Sequence, residues 1–404
     1  MVKFCADCGE TLTPAGQCPK CGKSYVIQPA NSFSPAPKES FFERATKPLT
    51  EMTGETDFED LRLRDLFSKI FKRHTLDESE AIFVAGTKNT TPKETELSST
   101  WPKPWLFSRI FLMFLITFAL LYICFGVFAN TNAVPGMIFI GAIAVPFSLL
   151  VFFMEVNAPR NISFYEVLKV FFIGGGASLV VTLILFIAFP VGELTFLGAT
   201  IVGIVEEVAK FLVVAHFIKR NKEANYVLNG ILLGAAVGAG FATFETAGYI
   251  LNFGLSEGTE SMMIVMILRG LLAPGGHVAW AAISGGALLL VKRDQRFSIA
   301  QIFNKKFLGF FGLAIALHAV WDMPLPSLGI IPIVQIAMTV MAWAILFVLM
   351  SAGLKDVSRK AAAARLEEIR IAEELAKAAE AEAEAEEAEA EEVETANVNA
   401  EVNA

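Results

Sequence analysis

The stretch Ile201-Val-Gly-Ile-Val-Glu206-Glu207-Val-Ala-Lys210-Phe-Leu-Val-Val places two adjacent carboxylates and an ammonium in an apolar run from Leu194 to Ile218. A run of about 25 residues is long enough to span the roughly 30 Å hydrocarbon core of a bilayer. A charge near the centre of such a span costs about 2.5–3.5 kcal/mol on insertion scales, and this segment carries three. In a helix Lys210 falls on the same face as Glu206 (i,i+4) and Glu207 (i,i+3), so it offsets one carboxylate and leaves the other without a local partner. A Glu–Lys pair that merely joins two helices would not need the second glutamate. The other ionisable groups away from the ends of apolar segments are Glu245, Arg269, His277, His318 and Asp322.

Those residues sit on segments with distinctive patterns. Glu245 follows Gly230, Gly234 and Gly238, whose spacing of four makes a groove for close helix approach. His277 directly follows Ala273-Pro274-Gly275-Gly276, which should break a segment about 46 Å long near mid-depth. Non-helical backbone at that depth is tolerated only inside protein or beside a water-filled cavity. His318 and Asp322 share a face at i,i+4. Two imidazoles and four acids on consecutive helices suit amide hydrolysis within a membrane. Imidazoles and a carboxylate can hold Zn²⁺ with a position open for water. Glu206 or Glu207 can take the proton from that water and return it to the leaving amine. Lys210 or Arg269 can orient a carboxylate or stabilise an oxyanion. No H-E-x-x-H is present, and a metal-free version with histidine supporting the oxyanion fits the same residues.

Composition agrees with a membrane setting. Hydrophobic residues make up 54% of the 404 and phenylalanine alone counts 35. The fold class expected is an all-α polytopic membrane protein with about eight transmembrane helices, a small N-terminal zinc ribbon and an acidic C-terminal tail. The spans fall roughly at residues 105–129, 134–155, 165–189, 194–218, 226–254, 261–291, 307–323 and 328–354. The first 100 residues contain no apolar run of signal-peptide length. The net charge of −8 is a property of the tail, because nine glutamates lie between Glu380 and Glu394 with no Lys or Arg among them. Nothing there points to nucleic acid. Alternate connections hold Arg160; Lys219, Arg220 and Lys222; Lys292 to Lys306; and Lys355 to Lys360, whereas the opposite set holds no Lys or Arg. Both termini are therefore expected in the cytoplasm of a multi-pass cell-membrane protein.

Four domains follow. Residues 1–23 carry Cys5, Cys8, Cys18 and Cys21 in two C-x2-C knuckles, a spacing that suits a structural Zn(Cys)4 site resembling a minimal zinc ribbon, with a cytosolic partner as its natural use. Residues 24–104 read as a cytoplasmic linker. Leu63, Leu66, Phe67, Ile70 and Phe71 on one face of a basic helix suit the inner bilayer surface or the chain's own membrane domain. His74 reads as a solvated residue after that helix, Cys124 as an inert packing residue and His216 as an interfacial residue without a role. Residues 105–354 form the transmembrane domain. Residues 355–404 form an Ala/Glu tail, helical over Arg359 to Ala378 and then of low complexity.

In the third domain Glu206-Glu207-Val-Ala-Lys210, Phe241-Ala-Thr-Phe-Glu245, the block Arg269, Ala273, Pro274 and His277, and His318-Ala-Val-Trp-Asp322 occur in order. Together they resemble the PrsW family of intramembrane proteases, distant relatives of the prenyl-protein (CAAX) endopeptidases. The resemblance implies a polytopic membrane endopeptidase, generally classed as a metalloprotease, acting on membrane-anchored protein substrates such as anti-sigma factors. It implies water activation by Glu206 and Glu207, His277 and His318 as ligands or oxyanion support, and Glu245 and Asp322 as third ligand or support. Two other classes suit the composition. A proton-coupled transporter uses the same carboxylates but predicts related halves, which are not evident. A scaffold presenting the ribbon would have no reason to bear the insertion cost of the polar residues.

Overall fold

The computed structural model describes residues 19, 41–59, 61–98, 100–325 and 332–402, with side chains described as far as residue 385. The expected zinc ligands Cys5, Cys8, Cys18 and Cys21 lie outside the described residues. By contacts the chain divides into Met1–Ala45 and Thr46–Ala404, and everything below concerns the second unit. No strand occurs among the described residues.

The membrane domain is built from α1 (Leu106–Gly126), α2 (Val134–Val156) and α3 (Phe164–Ala188, with a π-helical turn at Val170–Gly174). These are followed by α4 (Phe196–Arg220), α5 (Val227–Glu257), α6 (Thr259–Leu272) and α7 (His277–Lys292). The last two are α8 (Lys305–Asp322) and α9 (Ile333–Val402). Six segments are long and apolar enough to cross a membrane: α1, Thr131–Val156, α3, α5, Thr259–Lys292 and Ile333–Ala385. The chain is thus an all-α protein of multi-pass membrane character. The remaining two helices, α4 and α8, carry five of the eight ionic residues of interest (Glu206, Glu207, Lys210, His318 and Asp322) and fall outside that set.

Helix α5 is the axis. Its first half is apolar all round and every residue from Val227 to Thr243 is buried, as in a helix enclosed by neighbours. Helices α2, α3, α6 and α7 pack around it. Its closest partner is α7, and the glycine row makes that approach possible. A Cβ on Gly230, Gly234 or Gly238 would lie 2.2, 2.1 or 2.3 Å from the carbonyl oxygen of Gly285, Ala281 or His277. The backbones therefore touch directly, and the Gly238 contact fixes the first residue of α7, His277. Gly234→Ala should destabilise the protein by about 1–3 kcal/mol, since neither backbone can give way inside a packed core. A thermal unfolding scan in detergent checks it; an unchanged midpoint would mean that the helices separate easily.

Between α6 and α7 the chain makes a 3₁₀ turn at Ala273–Gly275, so the break foreseen at the Pro-Gly-Gly run is present. Helix α9 holds it in place. The Trp343 indole N–H donates to the Pro274 carbonyl at 3.0 Å, and a Cβ on Gly275 would meet Thr339 Oγ1 at 1.9 Å.

Outside the membrane domain the structure departs from expectation in three places. The basic amphipathic helix is confined to Leu63–Leu66. Beyond it the Arg109 guanidinium takes the carbonyls of Ile70 and Lys72 at 3.0 and 3.1 Å, and Ser68 Oγ takes that of Asp65 at 2.7 Å. Side chains that capture backbone carbonyls in this way compete with helix propagation. The five apolar residues consequently do not share a face: Leu66 is buried and Phe71 is exposed. His74 is not solvated but stacks on Trp105, with ring centroids 3.6 Å apart and planes 5° from parallel. Finally, the last span and the tail form one continuous helix, α9, where a span and a separate helix starting at Arg359 were expected. From Lys355 onward the tail consists mainly of Ala, Glu, Lys and Arg, strong helix formers without glycine or proline, and nothing stops propagation. His216 is exposed, as an interfacial residue is, whereas Cys124 is exposed and not packed inside the protein as expected.

Candidate active site

Five helices, α4 to α8, bring the ionic residues together. Helix α4 starts cleanly because Thr195 Oγ1 accepts from the Gly198 amide at 3.1 Å, and one face of its middle carries Glu206, Glu207 and Lys210. Helix α5 contributes Glu245, and the α6–α7 break contributes Arg269 and His277. The end of α8 contributes His318 and Asp322.

Lys210 and Glu207 are fully buried, with side-chain exposures of 0% each, and Nζ to Oε1 is 2.7 Å. Lys210 also lies 3.6 Å from Glu206 Oε2 and 2.7 Å from His277 Nδ1. Its ammonium sits over the Phe241 ring, 4.3 Å from the centroid. The Glu207 carboxylate takes His318 Nδ1 at 2.8 Å. On the other side, His277 Nε2 lies 3.0 Å from Glu245 Oε2, and the same oxygen accepts from Arg269 Nη2. Arg269 is itself steadied by Thr246 Oγ1 at 3.0 Å and by the Tyr249 ring beneath it, 4.3 Å away. Asp322 Oδ2 is 3.3 Å from His318 Nε2.

Six of the eight residues, Glu206, Glu245, Arg269, His277, His318 and Asp322, line one cavity of about 560 Å³. Glu207 and Lys210 stand behind it, as the anion and cation that hold the imidazoles in place. That differs from the expectation for Glu207, which has no face on the cavity with which to meet water. The expected third ligand also differs. Among the described residues the donor atoms that converge belong to Glu206, His277 and His318, all within 4.8 Å of one another. Glu245 lies beyond His277, engaged by Arg269.

That trio suits a metal ion on three counts. Glu206 Oε2 is buried with no hydrogen-bond partner, an omission that normally calls for a ligand or a function. It faces His277 Nδ1 at 3.9 Å and His318 Nε2 at 3.7 Å, against donor separations of about 3.3 Å around a tetrahedral zinc. Each imidazole is anchored on its far nitrogen by a carboxylate, Glu245 or Glu207, as metal-binding histidines are. The cluster also holds four acids against two fixed cations, so its formal charge is negative with neutral imidazoles. A cation seated there would require the Lys210 ammonium to leave His277 Nδ1 and stay on Glu207.

The sequence reading missed the aromatic walls. Trp280 stacks on His318 at 4.3 Å and meets His277 edge-on at 5.1 Å, so one indole fixes both ring planes. It lies one helical turn after His277, which is the only sequence signal it offers. Thr246 and Tyr249, one and four residues after Glu245, carried a similar signal.

No curated protein matches the chain, and no solved structure does. All eight ionic residues fall within residues 164–350, the stretch that matches the model of the PrsW family intramembrane metalloprotease.

Proposed function

We propose that the chain is an intramembrane endopeptidase of the PrsW kind, hydrolysing peptide bonds of membrane-anchored protein substrates. The observation that carries this reading is the orphaned Glu206 Oε2, buried at the wall of a polar cavity between two oriented imidazoles. A carboxylate oxygen without a donor is suited to receive a water proton, and a carboxylate has a second oxygen with which to keep its place.

In this mechanism Glu206 accepts a proton from the attacking water and delivers it to the leaving nitrogen. Glu207 and Glu245 hold His318 and His277 so that His318 Nε2 and His277 Nδ1 face Glu206. Arg269, clamped by Glu245 and Thr246, presents fixed positive charge at the cavity and suits a substrate carbonyl or a developing oxyanion. Asp322, one quarter exposed, is the second cavity carboxylate and helps to orient His318. The residues that would hold a metal ion are Glu206, His277 and His318; with Glu206 so engaged, the water proton would pass to Asp322, the cavity carboxylate that Arg269 does not clamp. When bound, such an ion supplies carbonyl polarisation and a more acidic water.

The same reading extends to the membrane frame. Helices α4 and α8 have 25 and 18 residues, enough for about 27 Å or more of rise. The charges that set them apart from the six apolar spans are largely those of the site. Counting both gives eight spans, with the Lys/Arg-rich connections and both termini on the cytoplasmic side of the cell membrane. Cys5, Cys8, Cys18 and Cys21 supply a separate structural zinc ribbon for a cytosolic partner.

His277→Ala should abolish cleavage of a single-span reporter in membranes while leaving the protein extractable and folded. A zinc chelator should stop the wild type, and added zinc should restore it. Normal cleavage by His277→Ala would refute the protease assignment. Chelator-resistant cleavage would refute only the metal.

A further inference from the structure

A second cavity, of about 140 Å³, lies at the rim where α1 begins and α2 ends, and its lining includes Lys69, Lys103 and Arg160. The three cations come from separate stretches of backbone, and each stretch is held in place. Lys69 belongs to the loop pinned by Arg109, and its carbonyl is 3.0 Å from His74 Nε2. Lys103 stands between Pro102 and Pro104, whose rings fix the backbone on both sides. Arg160 closes a turn, its amide donating to the Asn157 carbonyl at 2.9 Å, with φ at +48°, where glycine would be favoured.

None of the three is in an ion pair among the described residues. The acid that also lines the cavity, Glu155, is already engaged. Its two oxygens accept the amides of Trp105, Leu106 and Phe107 at 2.8, 2.9 and 2.9 Å, capping the start of α1. Three exposed cations on held backbone therefore border a small cavity of mixed polar and apolar lining with one committed carboxylate. Outside it, one side of α1 is exposed along its apolar length from Phe111 to Ile123, a surface suited to acyl chains. The Trp105 ring, stacked on His74, closes the cavity at the level where aromatic residues meet headgroups.

We propose that this cavity binds a phosphate group, presented by the headgroup of an anionic phospholipid whose tails lie along α1. Phosphate offers oxygens on several sides, and three cations on independent backbones match that shape better than a carboxylate would. The site is separate from the cavity of Glu206 and does not depend on the proposed protease activity.

The test uses the full chain in a neutral detergent. Its unfolding temperature and native mass spectrum are recorded with phosphatidylglycerol, phosphatidylcholine or inorganic phosphate. Phosphatidylglycerol should raise the midpoint and remain bound where phosphatidylcholine does not. Arg160→Gly should fold at least as well without lipid, since glycine suits that φ, yet bind phosphatidylglycerol about fivefold more weakly. Adding Lys69→Gln and Lys103→Gln should bring the loss to roughly a hundredfold. If inorganic phosphate alone gives the same shift, and the variants remove it, the phosphate site stands and its ligand is the free ion. Equal binding of both lipids without a phosphate effect, or phosphatidylglycerol binding that survives Arg160→Gly and the triple substitution, overturns the proposal.

Discussion

Glu206→Gln is expected to reduce cleavage of a single-span substrate by about 10²- to 10⁴-fold, the range in which removing a positioned proton acceptor acts. The substitution keeps size and shape, and Glu206 is the more distant of the two partners of Lys210, at 3.6 Å against 2.7 Å for Glu207. The unfolding midpoint in detergent should therefore stay close to that of the wild type. Activity and stability thus separate at this position, which makes it a sharper test than a histidine substitution. An amide cannot take the proton but can still pack between the imidazoles. Wild-type cleavage rates from purified Glu206→Gln would remove Glu206 from the chemistry, and with it the reading of the orphaned oxygen.

Lys210→Met should have the opposite signature, a large loss of stability. It strips the cation from a fully buried Glu207 and takes a donor from His277. Breaking a buried ion pair by deleting one partner costs about 3–5 kcal/mol, because the remaining charge is left uncompensated. The double variant Lys210→Met/Glu207→Gln removes both charges and should recover a substantial part of that loss, with the Gln amide still able to meet His318. Unfolding midpoints of the three proteins in one detergent measure the coupling directly. If the double variant is no more stable than Lys210→Met alone, the pair is not the internal scaffold described here. The contrast between Glu206 and Glu207, adjacent in sequence, follows from the helix itself. One hundred degrees of rotation turns Glu206 to the cavity and Glu207 into the packed interior behind it.

Much of this arrangement was legible before any coordinates. Apolar segment lengths, the glycine row and the Pro-Gly-Gly break are local features, and each is tied to a physical constraint that acts locally. Charges that a bilayer penalises stand out wherever they occur, so all eight ionic residues could be picked out one by one. The boundaries of α9 were less legible, because a span and an Ala/Glu tail without a breaker between them share one backbone conformation. The short helix at Leu63–Leu66 was misjudged for a different reason: Arg109, some forty residues away, captures the carbonyls that would have extended it.

What the sequence determined by itself is the inventory: helices of membrane length, a broken segment carrying His277, and an improbable set of acids, imidazoles and cations among apolar residues. Only the tertiary structure decided the arrangement. It turned Glu206 rather than Glu245 toward both imidazoles, retired Glu207 behind the cavity with Lys210, and set Trp280 against His318. Helical periodicity fixes which residues share a face of one helix. Which face meets which depends on where backbones can touch, and here the glycine row of α5 brings α7 close enough to deliver His277 to the site.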